Sequence, residues 1–271
     1  MLTSFLRTLC CFSFCVSASA TSFHDDEAMP DKVLDYLVYS DHNAPYQFSD
    51  VEFGHKGIVC RIVDVIAARA GSVVHPHMEP IKRLKRSIET RKYQRWITYG
   101  MRSWAPTEAW KKHHFSDLDI FQFNPVLVQP ANAETPINAL VDIAHRRVLI
   151  INGFDYGPTY DFLLARGADI ETVDTQQIAI SMLNQGRADV FLEDEFRVRF
   201  TLSSMKLRAE NFNMVSIRPA SDQGLGVALV MSQDMPEENV KIMNQVLREM
   251  TESGELKDLI GQYVATVPNE D

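Results

Sequence analysis

The stretch GMRSWAPTEAWKKHHFSD, residues 100–117, sets Arg102, Lys111 and Lys112 among two histidines and two tryptophans, in a chain of net charge −9. Cations interleaved with aromatics suit three uses: contact with a nucleic-acid backbone, capture of a small anion, or an ordinary solvated surface. Histidines form a second set of candidates, in His75-Pro76-His77-Met78, His113-His114 and His24-Asp25-Asp26-Glu27. A His-x-His pair on a strand turns both rings to one face. The sequence names no third ligand at a metal-site spacing, so no metal and no cofactor are expected. An amino-terminal copper site would need His24 to stand third in a processed chain. No Ser-His-Asp or Cys-His arrangement can be read, which points away from nucleophilic catalysis.

Composition narrows the choice. Residues 80–115 hold ten Lys/Arg against two Glu, and the rest of the chain is strongly acidic. Nucleic-acid binding favours a domain that is basic as a whole. The basic stretch therefore reads as a solvated helix face, and no nucleic-acid partner is expected. A hydrophobic content of 45% over 271 residues suits two modest globular domains or one large one. Residues 1–20 have the three parts of a secretory leader: Arg7, the apolar run 8–17 and the cleavage site Ala18-Ser19-Ala20. Cys10, Cys11 and Cys15 fit no lipoprotein box, so a soluble exported protein beginning at Thr21 is expected. Beyond that point Cys60 is alone, which leaves no internal disulfide. It reads as a small buried apolar residue.

The elements follow from periodicity. VLDYLVYS (33–40), SVVHPH (72–77) and WITYGM (96–101) read as strands. Between them, 57–70 places Ile58, Val59, Ile62, Val63 and Ile66 on one helical face, and 80–92 turns Ile81, Leu84 and Ile88 inward. Alternation continues with strands at 121–130, 146–153, 169–174, 189–194 and 224–232. Helices are expected at 135–145, 155–168, 175–188, 235–254 and 255–264. The βαβαβ order implies α/β architecture with parallel sheets covered by helices.

Six stretches in this order resemble one family, the amino-acid-type solute-binding proteins (family 3) that serve ABC transporters. They are NAPYQF with GHKGIVCRIVDVIAARAG, HHFSD, ALVDIAHRRVLIINGFDYG, LNQGRADVFLED, GLGVALVMSQD and TESGELKDLIGQYV, spanning nearly all of 32–264. The resemblance implies the α/β two-lobed, hinged type II periplasmic-binding fold, each lobe a mostly parallel sheet flanked by helices. Lobe 1 would be discontinuous, about 30–118 plus 222–271, and lobe 2 would span about 122–218. It also implies a periplasmic monomer that captures a small polar ligand, amino-acid-like or cationic, and offers the closed form to an ABC permease. A ligand-sensing protein acting on a membrane receptor is the alternative. A dehydratase- or hydrolase-like enzyme using Glu193 or Asp194 is the other alternative, though a chain without enzymatic activity is the expectation.

The family's binding residues map here with departures. The acid that takes the ligand ammonium falls on Asp194, a position that also suits a helix cap. The arginine that takes the ligand carboxylate falls on Ala109, which has no charge. Arg102 is the first substitute, with Lys111 next and Arg83 a weaker one; Arg102 suits a surface ion pair equally well. The Gly-Ser turn of the second lobe becomes Gly153-Phe154-Asp155-Tyr156, and Asp155 would occupy the positive end of a helix. Asn43 and Tyr46 stand at aromatic wall positions, and Trp104 with Phe154 would sandwich an apolar or cationic group. Two aspartates without the family arginine suggest a ligand more cationic, or less anionic, than a plain amino acid.

Overall fold

The computed structural model describes residues 32–39, 43–50, 54–217 and 225–264. The expected leader and His24 lie outside these residues.

In chain order, β1 (Val33–Tyr39) leads to a short antiparallel ribbon of β2 (Phe48–Asp50) and β3 (Gly54–Lys56). Helix α1 (Ile58–Arg69) buries the five apolar residues read from its 3.6-residue spacing. Then come β4 (Val73–Glu79), α2 (Ile81–Glu89), β5 (Trp96–Met101) and β6 (His114–Gln122). The second half holds β7 (Pro125–Pro130), β8 (Arg147–Ile151), α3 (Gly157–Ala165), β9 (Asp169–Val173), α4 (Gln176–Asn184) and β10 (Val190–Asp194). It continues with α5 (Glu195–Ser204), β11 (Phe212–Ser216), β12 (Gly226–Met231), α6 (Glu237–Glu252) and α7 (Glu255–Val264).

Two five-stranded sheets result, ordered β4-β1-β5-β12-β6 and β11-β7-β10-β8-β9. In the first, β1 runs parallel to β4 and β5, and β12 runs against both β5 and β6. In the second, β8 runs parallel to β9 and β10, and β7 runs against β10 and β11. Each sheet is therefore mixed, with a single reversed strand. Chain connectivity explains this: β6 passes into β7, and β11 returns toward β12. Phe123 N–H donates to Leu225 O at 2.8 Å and Ile217 N–H to Pro125 O at 3.0 Å, joining the described ends of both passages.

One core packs α1, α6 and α7 on the first sheet, around Tyr36, Ile62, Ile66, Leu229 and Leu247. The second sheet has a core on each face, one around Phe191 and Ile180, the other around Leu149's neighbours Val148 and Ile150 with Leu163. Among the described residues, no helix is long and apolar enough to cross a membrane.

Three expectations change. The strand expected at 121–130 breaks at 123–124, where the chain leaves one sheet for the other. The helix expected at 135–145 is reduced to a single 3-10 turn, Leu140–Ile143. Gln129 holds the preceding segment extended, donating to Ile137 O at 2.6 Å and accepting from Ile137 N–H at 2.8 Å. Strands β6 and β11 and helix α5 were not foreseen; α5 lacks an apolar stripe because Arg197 and Thr201 are buried on it with Val198 and Leu202.

Gly57 joins the loop 43–47 to the start of α1. Its φ of 126° is open to few residues other than glycine. A Cβ there would come within 2.7 Å of Pro45 O. The close approach lets Ile58 N–H donate to Pro45 O at 3.0 Å and Val59 N–H to Tyr46 O at 2.9 Å, so two unpaired amides of the helix start are used to hold the loop. We expect Gly57→Ala to cost more than about 1 kcal/mol in urea unfolding, from strain and collision together. A loss under about 0.5 kcal/mol, the size of an ordinary surface change, would show that the loop relaxes freely.

Candidate functional site

In both sheets the carboxyl ends of the strands meet at one place, which is where open α/β sheets bind ligands. A cavity of about 500 Å³ lies there. The first sheet's side contributes Tyr39 at the end of β1, Asn43 and Tyr46 from the loop, Ile81 and Lys85 one turn apart on α2, and Tyr99 and Met101 from β5, with Trp104 beyond. The crossings contribute Phe121, Phe123 and Pro125. The second side contributes residues 154–159, Leu192, Glu193 and Arg197. The walls are mainly aromatic. Tyr46 stacks flat on Phe121 with centroids 4.5 Å apart, and Trp104 packs on Trp110 at 5.3 Å.

Arg197 stands at the centre. It is only 6% exposed, and its guanidinium lies between two rings, 5.1 Å from that of Tyr46 and 4.8 Å from that of Phe154. Nη1 donates to Glu193 Oε1 at 3.2 Å, and Nη2 to Asn43 Oδ1 at 3.0 Å and Tyr99 Oη at 3.4 Å. Its Nε–H is buried and has no acceptor among the described residues. The i, i+4 spacing from Glu193 explains the pairing: the end of β10 and the first turn of α5 bring the two side chains together.

Asp194 is the N-cap of α5, accepting from Arg197 N–H at 3.3 Å. Its Oδ2 also accepts from the Tyr46 hydroxyl at 2.6 Å, and its Oδ1 from Asn124 N–H at 2.9 Å. Both oxygens are thus engaged by protein donors, and Asp194 is not among the cavity-lining residues. Of the two buried acids, Glu193 pairs with the guanidinium, and Asp194 accepts from the Arg197 backbone N–H. Burial pushes the carboxyls of Glu193 and Asp194 above their ordinary range, against the pull of Arg197. Burial opposes the Arg197 charge as well, but Glu193 and its neighbours more than offset this and keep it ionised.

The other expected residues divide. Asn43, Tyr46, Trp104, Phe154 and Asp155 all line the cavity. Asp155 Oδ1 accepts from Gly157 N–H at 3.0 Å, at the start of α3. Trp104 and Phe154 line the cavity, but the pair enclosing a cation is Tyr46 with Phe154. Arg102 turns away from the cavity, with Nε donating to Asp119 Oδ1 at 2.5 Å and Nη2 to Ser116 O at 2.8 Å. Arg83 is exposed on α2, and neither arginine lines the cavity. Lys111 pairs with Glu108, and Ala109 is exposed. The stretch 100–117 is therefore largely structural, apart from its contributions Met101, Ser103, Trp104 and Thr107 to the wall.

Sequence reasoning missed Arg197 and Lys85. Lys85 had a signal, lying four residues from Ile81 on the same helical face. Arg197 had only its spacing from Glu193, which many exposed ion pairs share.

No protein-family model matches the sequence, and no curated protein matches it. Solved structures do match. The amino-acid ABC transporter substrate-binding protein AbpA of Streptococcus pneumoniae, bound to L-arginine, has TM-score 0.69 and 17% identity, covering 90% of this chain and 100% of that one. A mutant of ArgBP from T. maritima gives 0.65 and 21%, covering 89% and 98%. An ancestral amino-acid-binding protein, a precursor of cyclohexadienyl dehydratase, gives 0.67 and 17%, covering 88% and 97%. These likenesses establish the two-lobed type II periplasmic-binding fold.

Arg197→Met would leave the buried Glu193 without its ion-pair partner. It is expected to cost about 3–5 kcal/mol in urea unfolding, with part recovered when Glu193→Gln is added. Equal stabilities for the single and double variants would mean that Glu193 does not depend on Arg197. A group whose pKa is raised on folding contributes stability that is present below its unfolded value and lost as pH rises through its folded value. The melting temperature of Glu193→Gln, taken relative to the parent protein, should therefore rise from about pH 4, near the ordinary carboxylate value, toward neutrality. A pH-independent difference would contradict a raised Glu193.

Proposed function

We propose that this chain is an exported solute-binding protein of the amino-acid type, which captures a small ligand between its lobes. The supporting observation is the cavity, walled by residues of both sheets at their strand ends. The lobes on this reading are about 30–118 plus 222–271, and 122–218. Polar groups on the wall are few: Lys85, Asp155 and the Arg197–Glu193 pair stand among Tyr39, Trp104, Phe121 and Phe154. Such a site suits an amino-acid-like molecule whose amine meets Asp155, whose acceptor meets Lys85, and whose body rests on rings. The fold shared with amino-acid-binding proteins supports the same class. The ligand-loaded form would be offered to an ABC permease in the periplasm, or to a membrane sensor.

Glu193 supports a second reading. It is a cavity-lining carboxyl whose pKa burial raises against the pull of Arg197, the direction a general acid needs. One protein of similar fold is a precursor of a dehydratase. Binder and enzyme separate by whether the captured molecule is recovered unchanged, which mass spectrometry of the released ligand reads directly.

The test is a melting series on the mature protein, unfolded and refolded to strip any carried molecule, against amino acids, polyamines, peptides and organic acids. A ligand present at about 100 times its Kd adds roughly 2.7 kcal/mol, a shift of several degrees in a protein of this size. We expect one chemical class to give that shift, and Trp104 fluorescence to change with it. No shift with any class would count against capture of a free solute.

A further inference from the structure

We propose that Asp35, His75 and His77 form a binding site for a divalent transition-metal cation, zinc being the reference ion, at the end of the first sheet remote from the cavity. The sequence supplied the His-x-His pair, and the fold supplies the third ligand. Strands β1 and β4 are parallel neighbours with Asp35 opposite His75 and Leu37 opposite His77. Alternation along each strand then places Asp35, His75 and His77 on one face. The three ligand atoms all lie within 4.8 Å of one another. His77 Nε2 is 2.7 Å from Asp35 Oδ1, and His75 Nδ1 is 3.8 Å from the same oxygen.

Those separations suit a metal. Bonds of about 2.0–2.2 Å in a tetrahedral site put neighbouring ligand atoms about 3.3–3.5 Å apart. The observed pairs straddle that value, and the side chain free to adjust is His75, 61% exposed. The other two are held. Asp35 is 6% exposed in the sheet, and the His77 ring packs on that of Tyr93 with centroids 4.2 Å apart. The charge argument points the same way. A buried carboxylate needs a compensating cation, and among the described residues the side chains paired with it are these two imidazoles. A divalent ion supplies that charge. Two imidazole nitrogens and one carboxylate oxygen are ligands suited to zinc, copper(II) or nickel rather than to calcium or magnesium. Three protein ligands leave the fourth position to water or to a partner's side chain.

The site is separate from the cavity. Tyr39, which reaches the cavity, is four residues along β1 from Asp35, about 13 Å at strand spacing.

The experiment is calorimetric titration of zinc chloride into the chelator-treated mature protein, without an affinity tag, at pH 7.5. One zinc per chain is expected, and loss of even an outer-shell partner typically costs 10- to 100-fold in metal affinity, so His75→Ala and His77→Ala should each weaken binding by more than about tenfold. His75 is largely exposed, so its alanine variant keeps the packing of the sheet and isolates the ligand role. Cobalt(II) should give the visible absorption of a four-coordinate site in the parent protein, and none in His75→Ala. Absence of zinc binding by the parent, or equal affinity in the parent and both histidine variants, overturns the proposal. A solute-induced melting shift that persists in His75→Ala leaves the cavity's role intact whichever way the zinc result falls.

Discussion

The molecule depends on keeping one buried guanidinium charged. Arg197 is enclosed where the two sheets meet, between the rings of Tyr46 and Phe154, with Glu193 and Asn43 accepting from its guanidinium. An uncompensated charge in such a place is costly, so its partners are constrained. Glu193 must end β10 four residues before it, and Asn43 and Tyr99 must reach across from the first sheet. Tyr46 serves twice, giving its ring to the guanidinium and its hydroxyl to Asp194. The loop carrying Asn43 and Tyr46 is pinned to the start of α1 by the Gly57 approach and to β1 by Gln47, whose Oε1 accepts from Tyr39 N–H at 3.1 Å. The close approach at one glycine is thus tied to electrostatics at the centre.

This arrangement shapes what the cavity can take. A guanidinium between two aromatic faces is the geometry in which a cationic ligand would be bound. Here a residue of the chain occupies it and is already neutralised. The rest of the cavity wall is aromatic, with two opposite charges, Lys85 on one side and Asp155 on the other. Asp194 meanwhile works as a cap and as a tie between the sheets through Tyr46 and Asn124.

The first sheet has chemistry at both ends. Strand carboxyl ends carry the cavity because the chain must turn there into loops and helices, leaving side chains free to converge. The remote end holds Asp35 with His75 and His77, brought together by parallel pairing rather than by sequence proximity. Both constellations use residues that lie dozens of positions apart.

Local patterns were enough to recover the α/β order, the apolar face of α1 and most strand positions. Those readings rest on periodicity, turn residues and motif order, which are short-range properties of the chain. The stretch 100–117 misled for the same reason. Its charges are conspicuous in sequence, yet Arg102 is absorbed by Asp119 and Ser116, and Lys111 by Glu108. Helix α5 was obscured because its buried face includes an arginine and a threonine, which no hydrophobic period registers. What the sequence by itself determined was which segments become strands and helices and in what order they alternate. Only the tertiary structure decided which charge is buried, which acid joins the histidine pair, and which rings enclose a cation, because each depends on contacts between residues far apart in the chain and on the cost of removing charge from water.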